Sequence, residues 1–126
     1  MEALEAKVSE FAYKIVEEIL KHQGKKKKLI NLIDKALGVL SSNGVYAYYV
    51  FIISQKEKEA KEIFLDSLKE LFKAAKNKEN YEKSNPQKYF LDVSSNLYRL
   101  LFLKQLLEKT LIYARYHAKA LEDSNE

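Results

Sequence analysis

Between Leu4 and Leu20 the apolar residues Leu4, Val8, Phe11, Ala12, Ile15, Val16, Ile19 and Leu20 recur at intervals of three and four. That spacing returns side chains to one side of a helix, so residues 2–22 are predicted to be helical. Glu2 and Glu5 in the first turn and Lys21 and His22 in the last suit the helix dipole. Gly24 is the expected stop. After GKKKK (residues 24–28) the period resumes at Leu29, Ile30, Leu32, Ile33, Ala36, Leu37 and Leu40, predicting a second helix that ends near Ser41.

NGVYAYYVFIISQ, residues 43–55, is harder to place. Asn-Gly between alternating apolar residues signals a hairpin. Here the preceding flank repeats at three and four, and the following run is apolar without alternation. SSNG at 41–44 therefore reads as a break between helices, with Ser42 or Asn43 capping the second. The β-branched Val45, Val50, Ile52 and Ile53 keep a strand as the alternative.

Residues 56–76 are predicted to form one amphipathic helix with an inner stripe of Ile63, Phe64, Leu68, Leu71, Phe72 and Ala75. Residues 77–88 are polar, hold Pro86 and read as a loop. A last helix is expected from about Asp92 to Leu121. Leu100, Leu103, Leu107, Leu111, Ala114, Ala118 and Leu121 make one apolar line along it. Tyr98, Phe102, Leu106, Tyr113 and Tyr116 make a second. A helix apolar on two sides is central in a bundle or shared with a partner. The expected fold is thus all-α, a compact bundle of about five helices with a long C-terminal helix.

The length of 126 residues suits a single domain spanning 1–126. The absence of cysteine removes disulfides, thiolate nucleophiles and cysteine-based metal sites. No apolar run reaches membrane-spanning length, so the chain reads as cytoplasmic. Abundant Lys, Glu, Ile and Tyr lean towards a thermophilic source. The net charge is +4, and all but Arg99 and Arg115 of the 22 basic residues are lysine. Lysine suits contact with phosphates better than bidentate reading of base edges.

Catalytic chemistry finds little purchase. His22 and His117 are the only histidines and stand far apart in sequence. The carboxylates are interleaved with lysine, without a pair in an apolar setting such as acid–base work requires. Gly24, Gly38 and Gly44 are too dispersed to cradle a phosphate. No enzyme, metal or cofactor is expected. Tyr46, Tyr48 and Tyr49 lie in a stretch poor in charge and read as core or interface aromatics rather than a base-stacking platform. Two charge features remain. Lys25, Lys26, Lys27 and Lys28 sit at a helix start, where positive charge opposes the dipole unless solvent or an anion meets it. Lys104, Glu108, Arg115 and Lys119 share a face of the last helix. Each reads either as nucleic-acid contact or as solvated surface, the second ion-paired through Glu108.

Three pieces in order carry a resemblance: ALGVLSSNGVYAYYVFIISQ, an amphipathic helix, and SSNLYRLLFLKQLLEKTLIYARYHAKALE. Asn43-Gly44, Tyr98-Arg99 and LIYARYHAKAL at 111–121 resemble the small α-helical subunit of the type III-B CRISPR RNA-silencing (Cmr) effector complex, over about residues 30–121. Val45-Tyr46 depart from that family's usual Gly-Leu and polar residue. The resemblance implies a non-catalytic subunit stacked in several copies beside other CRISPR effector subunits, along the channel holding guide RNA and target RNA. A basic face lines that channel, and base pairing alone reads sequence. The expected backbone contacts are Lys25, Lys26, Lys27, Lys28, Arg99, Lys104, Arg115 and Lys119. The competing expectation is a helical adaptor that binds proteins only.

Overall fold

A computed structural model describes the backbone of residues 2–124 and the side chains of residues 4–121. The Glu2 carboxylate invoked above lies outside the described side chains. Among the described residues the fold is all-α, with no strand: α1 (Glu2–Leu20), α2 (Lys26–Asn43), α3 (Val45–Ile53), α4 (Glu59–Phe64), α5 (Lys69–Lys73), α6 (Pro86–Ser94) and α7 (Leu97–Ser124). Seven helices stand where about five were expected, because two of the expected helices break.

The first helix ends two residues early. Gln23, not Gly24, serves its C-terminus, donating from Nε2 to the Leu20 carbonyl at 3.0 Å. Gly24 sits in a 3-10 turn, Gln23–Lys25, without positive φ. Between α2 and α3 the cap is also a different residue. Gly44, at φ 94°, donates to the Leu40 carbonyl and accepts from the Tyr48 amide, closing α2 and opening α3 in one step. That backbone conformation favours a residue without Cβ. Neither Ser42 nor Asn43 caps α3. The strand alternative falls: Val45, Tyr48, Tyr49 and Ile52 are buried at helical spacing.

The expected helix over 56–76 is interrupted at Leu65 (φ −126°, ψ −67°), and a 3-10 turn, Asp66–Leu68, joins α4 to α5. Two hydrogen bonds take up backbone at the break. Ser67 Oγ donates to the Ile63 carbonyl at 2.6 Å, and Tyr48 Oη donates to the Phe64 carbonyl at 2.7 Å. A hydroxyl that competes for backbone acceptors weakens a helix locally. The predicted stripe is buried throughout, joined by Leu65 where the break rotates the chain. Tyr89 Oη repeats the device on the Phe72 carbonyl at 2.7 Å. Tyr81 Oη donates to Asp66 at 2.6 Å, beside the Lys61–Asp66 ion pair, and ties the following loop to this turn.

Pro86 opens α6 rather than lying within a loop, a first-turn position that needs no N–H donor. The expected C-terminal helix then splits at Ser95–Asn96. Ser94 Oγ and Ser95 Oγ donate to the Phe90 and Asp92 carbonyls, and Asn96 Oδ1 accepts from the Arg99 amide at 3.0 Å. Asn96 thus caps the start of α7.

Contacts fix the directions. Glu5 meets Lys109 and Tyr13 meets His117, so α1 and α7 run parallel. Ser41 meets Glu108 and Asp34 meets Arg115, so α2 runs antiparallel to α7. Leu103, Leu107, Leu111, Ala114 and Ala118 fill the space among them. Tyr49, Phe72, Tyr81, Tyr89 and Phe90 form an aromatic cluster under α3 and α6, with Tyr49 and Phe90 stacked at 4.8 Å.

Candidate nucleic-acid interface

Lys25 ends the 3-10 turn, and Lys26, Lys27 and Lys28 open α2. The segment entering α4 brings two carboxylates against them. Lys25 Nζ bonds both carboxylate oxygens of Glu59, at 3.1 and 3.0 Å. Lys28 Nζ lies 3.8 Å from Glu57. A hydrogen bond from its own backbone amide, then Lys25, holds the Glu59 carboxyl below its usual range. Lys27 is exposed and Lys26 half-buried, and neither makes an ion pair among the described residues.

On α7 the charged line is present but wired differently from expectation. Glu108 accepts from Ser41 Oγ at 2.6 Å and pairs with no basic residue of the line. Arg115 Nε pairs instead with Asp34 of α2 at 3.1 Å, both side chains more than half exposed. Lys119 is exposed and Lys104 half-buried. Arg99 does not join them: at 100° per residue it lies about 140° around the helix from Lys104. The antiparallel register sets the start of α2 beside the C-terminal turns of α7, so Lys27, Arg115 and Lys119 belong to one end. Lys104 lies roughly 22 Å along the axis from Lys119. The eight candidate cations are therefore distributed along the bundle, with their densest group where α2 begins.

The other outward feature was only half legible. Leu97, Tyr98, Leu101 and Phe102, in the first turns of α7, are exposed, Tyr98 by 84%, with Leu91 of α6 exposed nearby in the chain. Of the second apolar line, Leu106 is buried, and Tyr113 bonds Glu5, which raises the phenol and lowers the carboxyl from their ordinary ranges. Tyr116, the last residue of that line, is exposed. The outward side of α7 is thus mainly apolar in its first turns, around Arg99, and mainly charged further on, around Tyr116.

A groove of about 570 Å³ runs between α1 and α7, lined by Leu4, Val8, Phe102, Leu106 and Ile112 together with Glu5, Glu108 and Lys109. Its carboxylates are engaged by Tyr113, Lys109 and Ser41. His117 packs edge-on to Tyr13 at 5.9 Å. Among the described residues, no group of three or more His, Asp or Glu side chains is placed to hold a metal ion. No helix there is long and apolar enough to cross a membrane.

The family model described as CRISPR-associated protein (Cas_Cmr5) matches residues 4–121. The chain belongs to the Cas_Cmr5 family. Neither the curated proteins nor the solved structures give a match to it. The Cas_Cmr5 match runs through α1 as well as the segments that carried the resemblance, and identifies a small subunit of the type III-B Cmr complex. A Cmr subunit associates with the other subunits of its effector, which gives the uncovered apolar turns of α7 a context.

Proposed function

We propose that this Cas_Cmr5 chain is a non-catalytic structural subunit whose copies stack along the guide–target RNA channel. In this reading the first turns of α7 pack against the next copy. Lys25, Lys26, Lys27, Lys28, Lys104, Arg115 and Lys119, with Arg99 from a separate face, meet RNA phosphates. The observation that carries it is the division of the outward side of α7. Apolar residues with no cover among the described residues belong at a protein interface, and cations beyond them suit a polyanion laid along the same assembly. Lysine-dominated contacts position a backbone without reading bases.

The test is assembly with the other Cmr subunits, followed by RNA binding at two salt concentrations. Replacing Lys25, Lys26, Lys27 and Lys28 with alanine is expected to weaken binding equally across RNA sequences. The salt slope is expected to fall by roughly 0.7–0.9 for each phosphate that is no longer neutralised. Wild-type affinity and slope in this variant and in an Arg115→Ala/Lys119→Ala variant would leave the protein-only adaptor. That second reading draws its support from the engagement of Lys25, Lys28 and Arg115 by carboxylates within the chain.

A further inference from the structure

We infer that Glu59, Glu57 and Asp34 are internal competitors for RNA phosphate, holding Lys25, Lys28 and Arg115 back so that a single copy binds RNA weakly. The inference rests on the RNA-contact reading above and adds a regulation to it. Of the eight candidate cations, these three are the ones with an ion pair among the described residues. None of the three pairs is a local helix pair. Glu57 and Glu59 come from the segment entering α4 and reach back to the start of α2, while Asp34 crosses from α2 to α7. Helix packing therefore delivers each carboxylate to its cation. Lys25 meets both oxygens of Glu59, the same two-point contact that a phosphate would make.

The pairs are exposed enough for a phosphate to replace the carboxylate. The lysine side chains of the first two are 46% and 76% exposed, and that of Arg115 is 55% exposed. Exchanging one anion for another at such a site costs little, on the order of twofold to fivefold in affinity per pair. That cost falls on every copy alike, and in an array it is offset by contacts that a single copy lacks. Once neighbouring copies hold one RNA, each further contact is intramolecular and draws on a high effective concentration. The carboxylates thus discriminate between a stray fragment touching one subunit and a strand laid along many. Lys26, Lys27 and Lys119 stay outside these pairs and provide the first contact.

The experiment uses Cmr complexes assembled with wild-type chain, Glu57→Gln/Glu59→Gln, Asp34→Asn, or alanine at Lys25, Lys26, Lys27 and Lys28. Binding of a fluorescently labelled mixed-sequence RNA is read by anisotropy at two salt concentrations. Glutamine and asparagine keep the shape and remove the charge, and melting curves establish that each variant folds. Tighter binding is expected for both neutralised variants, by roughly two- to fivefold per carboxylate at the lower salt. Each released cation is expected to steepen the salt slope by up to ~0.7–0.9. Glu10→Gln, an exposed carboxylate on α1 facing no candidate cation pair, controls for net charge and is expected to change neither. In a Lys25→Ala background, Glu59→Gln is expected to give no further gain. Wild-type or weaker binding by both neutralised variants, while the alanine variant binds less tightly, would overturn the competition and leave the RNA reading standing. A gain equal to that of Glu10→Gln would overturn it as a mere charge effect. An alanine variant that binds like wild type would remove the RNA reading and this inference together.

Discussion

Tyr48→Phe isolates one oxygen atom. The ring stays, no cavity forms, and the only change is removal of the hydroxyl that donates to the Phe64 carbonyl at 2.7 Å. Phe64 is the last residue of α4, where a helix leaves its carbonyls without intrahelical donors. Tyr48 is fully buried, so water does not take the hydroxyl's place. Stranding a buried acceptor costs about 1–3 kcal/mol, and complete burial argues for the middle of that range, about 2 kcal/mol. At roughly 2.1 cal/mol/K per residue, 126 residues unfold with an entropy near 0.26 kcal/mol/K, so 1 kcal/mol moves Tm by about 4 °C. Calorimetry is expected to place Tyr48→Phe about 8 °C below wild type, with an unchanged urea m-value. Tyr46→Phe is the control. Its hydroxyl lies in an exposed hydrogen bond, accepting from the Gln87 amide at 3.3 Å, and its removal is expected to stay within about 2 °C. A Tyr48→Phe protein melting with the control would refute the role assigned to this hydroxyl at the α4 break.

Leu107→Ala is expected to cost about 2–5 kcal/mol in chemical denaturation, since Leu107 is fully buried between α7 and its neighbours; an unchanged midpoint would show that side of α7 to be uncovered. Burial pushes the phenols of Tyr48, Tyr81 and Tyr89 well above their ordinary range, with the Asp66 bond adding to the effect on Tyr81. The folded state therefore keeps protons that the unfolded chain releases near pH ~10. The stability they contribute is complete below that pH and declines as pH rises beyond it. Phenolate absorbance is expected to lag for these three until helical circular dichroism disappears, and ionisation of every tyrosine near pH ~10 with the helices intact would contradict this. Leu101→Asp, at an exposed position, is expected to leave the melting of the isolated chain within about 2 °C while reducing co-sedimentation with other copies and Cmr subunits. Undiminished assembly would remove that face from the interface.

Where side chains repeat at three and four, the sequence predicted the right face. The stripe from Ile63 to Ala75 and the line from Leu103 to Ala118 are both buried. What periodicity could not carry was continuity. The break at Leu65 depends on hydroxyls reaching backbone carbonyls, one of them from Tyr48 on another helix. A tertiary donor leaves no local signal, so a strong amphipathic pattern ran straight through the break. The break at Ser95–Asn96 did have a local signal: an Asn able to cap the next helix, preceded by two serines able to take back carbonyls. There the apolar periodicity masked the capping chemistry. The charge features divide similarly. Helical spacing put Lys104, Arg115 and Lys119 on one side correctly, but the partners came from elsewhere in the chain. Asp34 replaced Glu108 as the counter-charge, and Glu57 and Glu59 met the lysine run, because α2 packs antiparallel to α7 and the segment entering α4 folds back onto the start of α2.

The break before α7 also decides what the protein can present. An uninterrupted helix from Asp92 would carry Val93 and Leu97 on nearly one line, four residues apart. Only one environment would then be open to both. Asn96 separates them. Upstream, α6 turns inward and buries Pro86, Tyr89, Phe90 and Val93 against α3 and the aromatic cluster. Downstream, α7 starts afresh with Leu97, Tyr98, Leu101 and Phe102 outward, while Leu103 and Leu107 reach the core. Seventeen residues, 86–102, thus supply both a packed wall and an uncovered apolar end. Apart from Arg99, which lies on a separate face, the cations on the same helix begin beyond it, at Lys104. In the array proposed above, that order would set protein–protein burial at one end of α7 and leave most of its charge towards the other, where weak single contacts would become effective only by repetition.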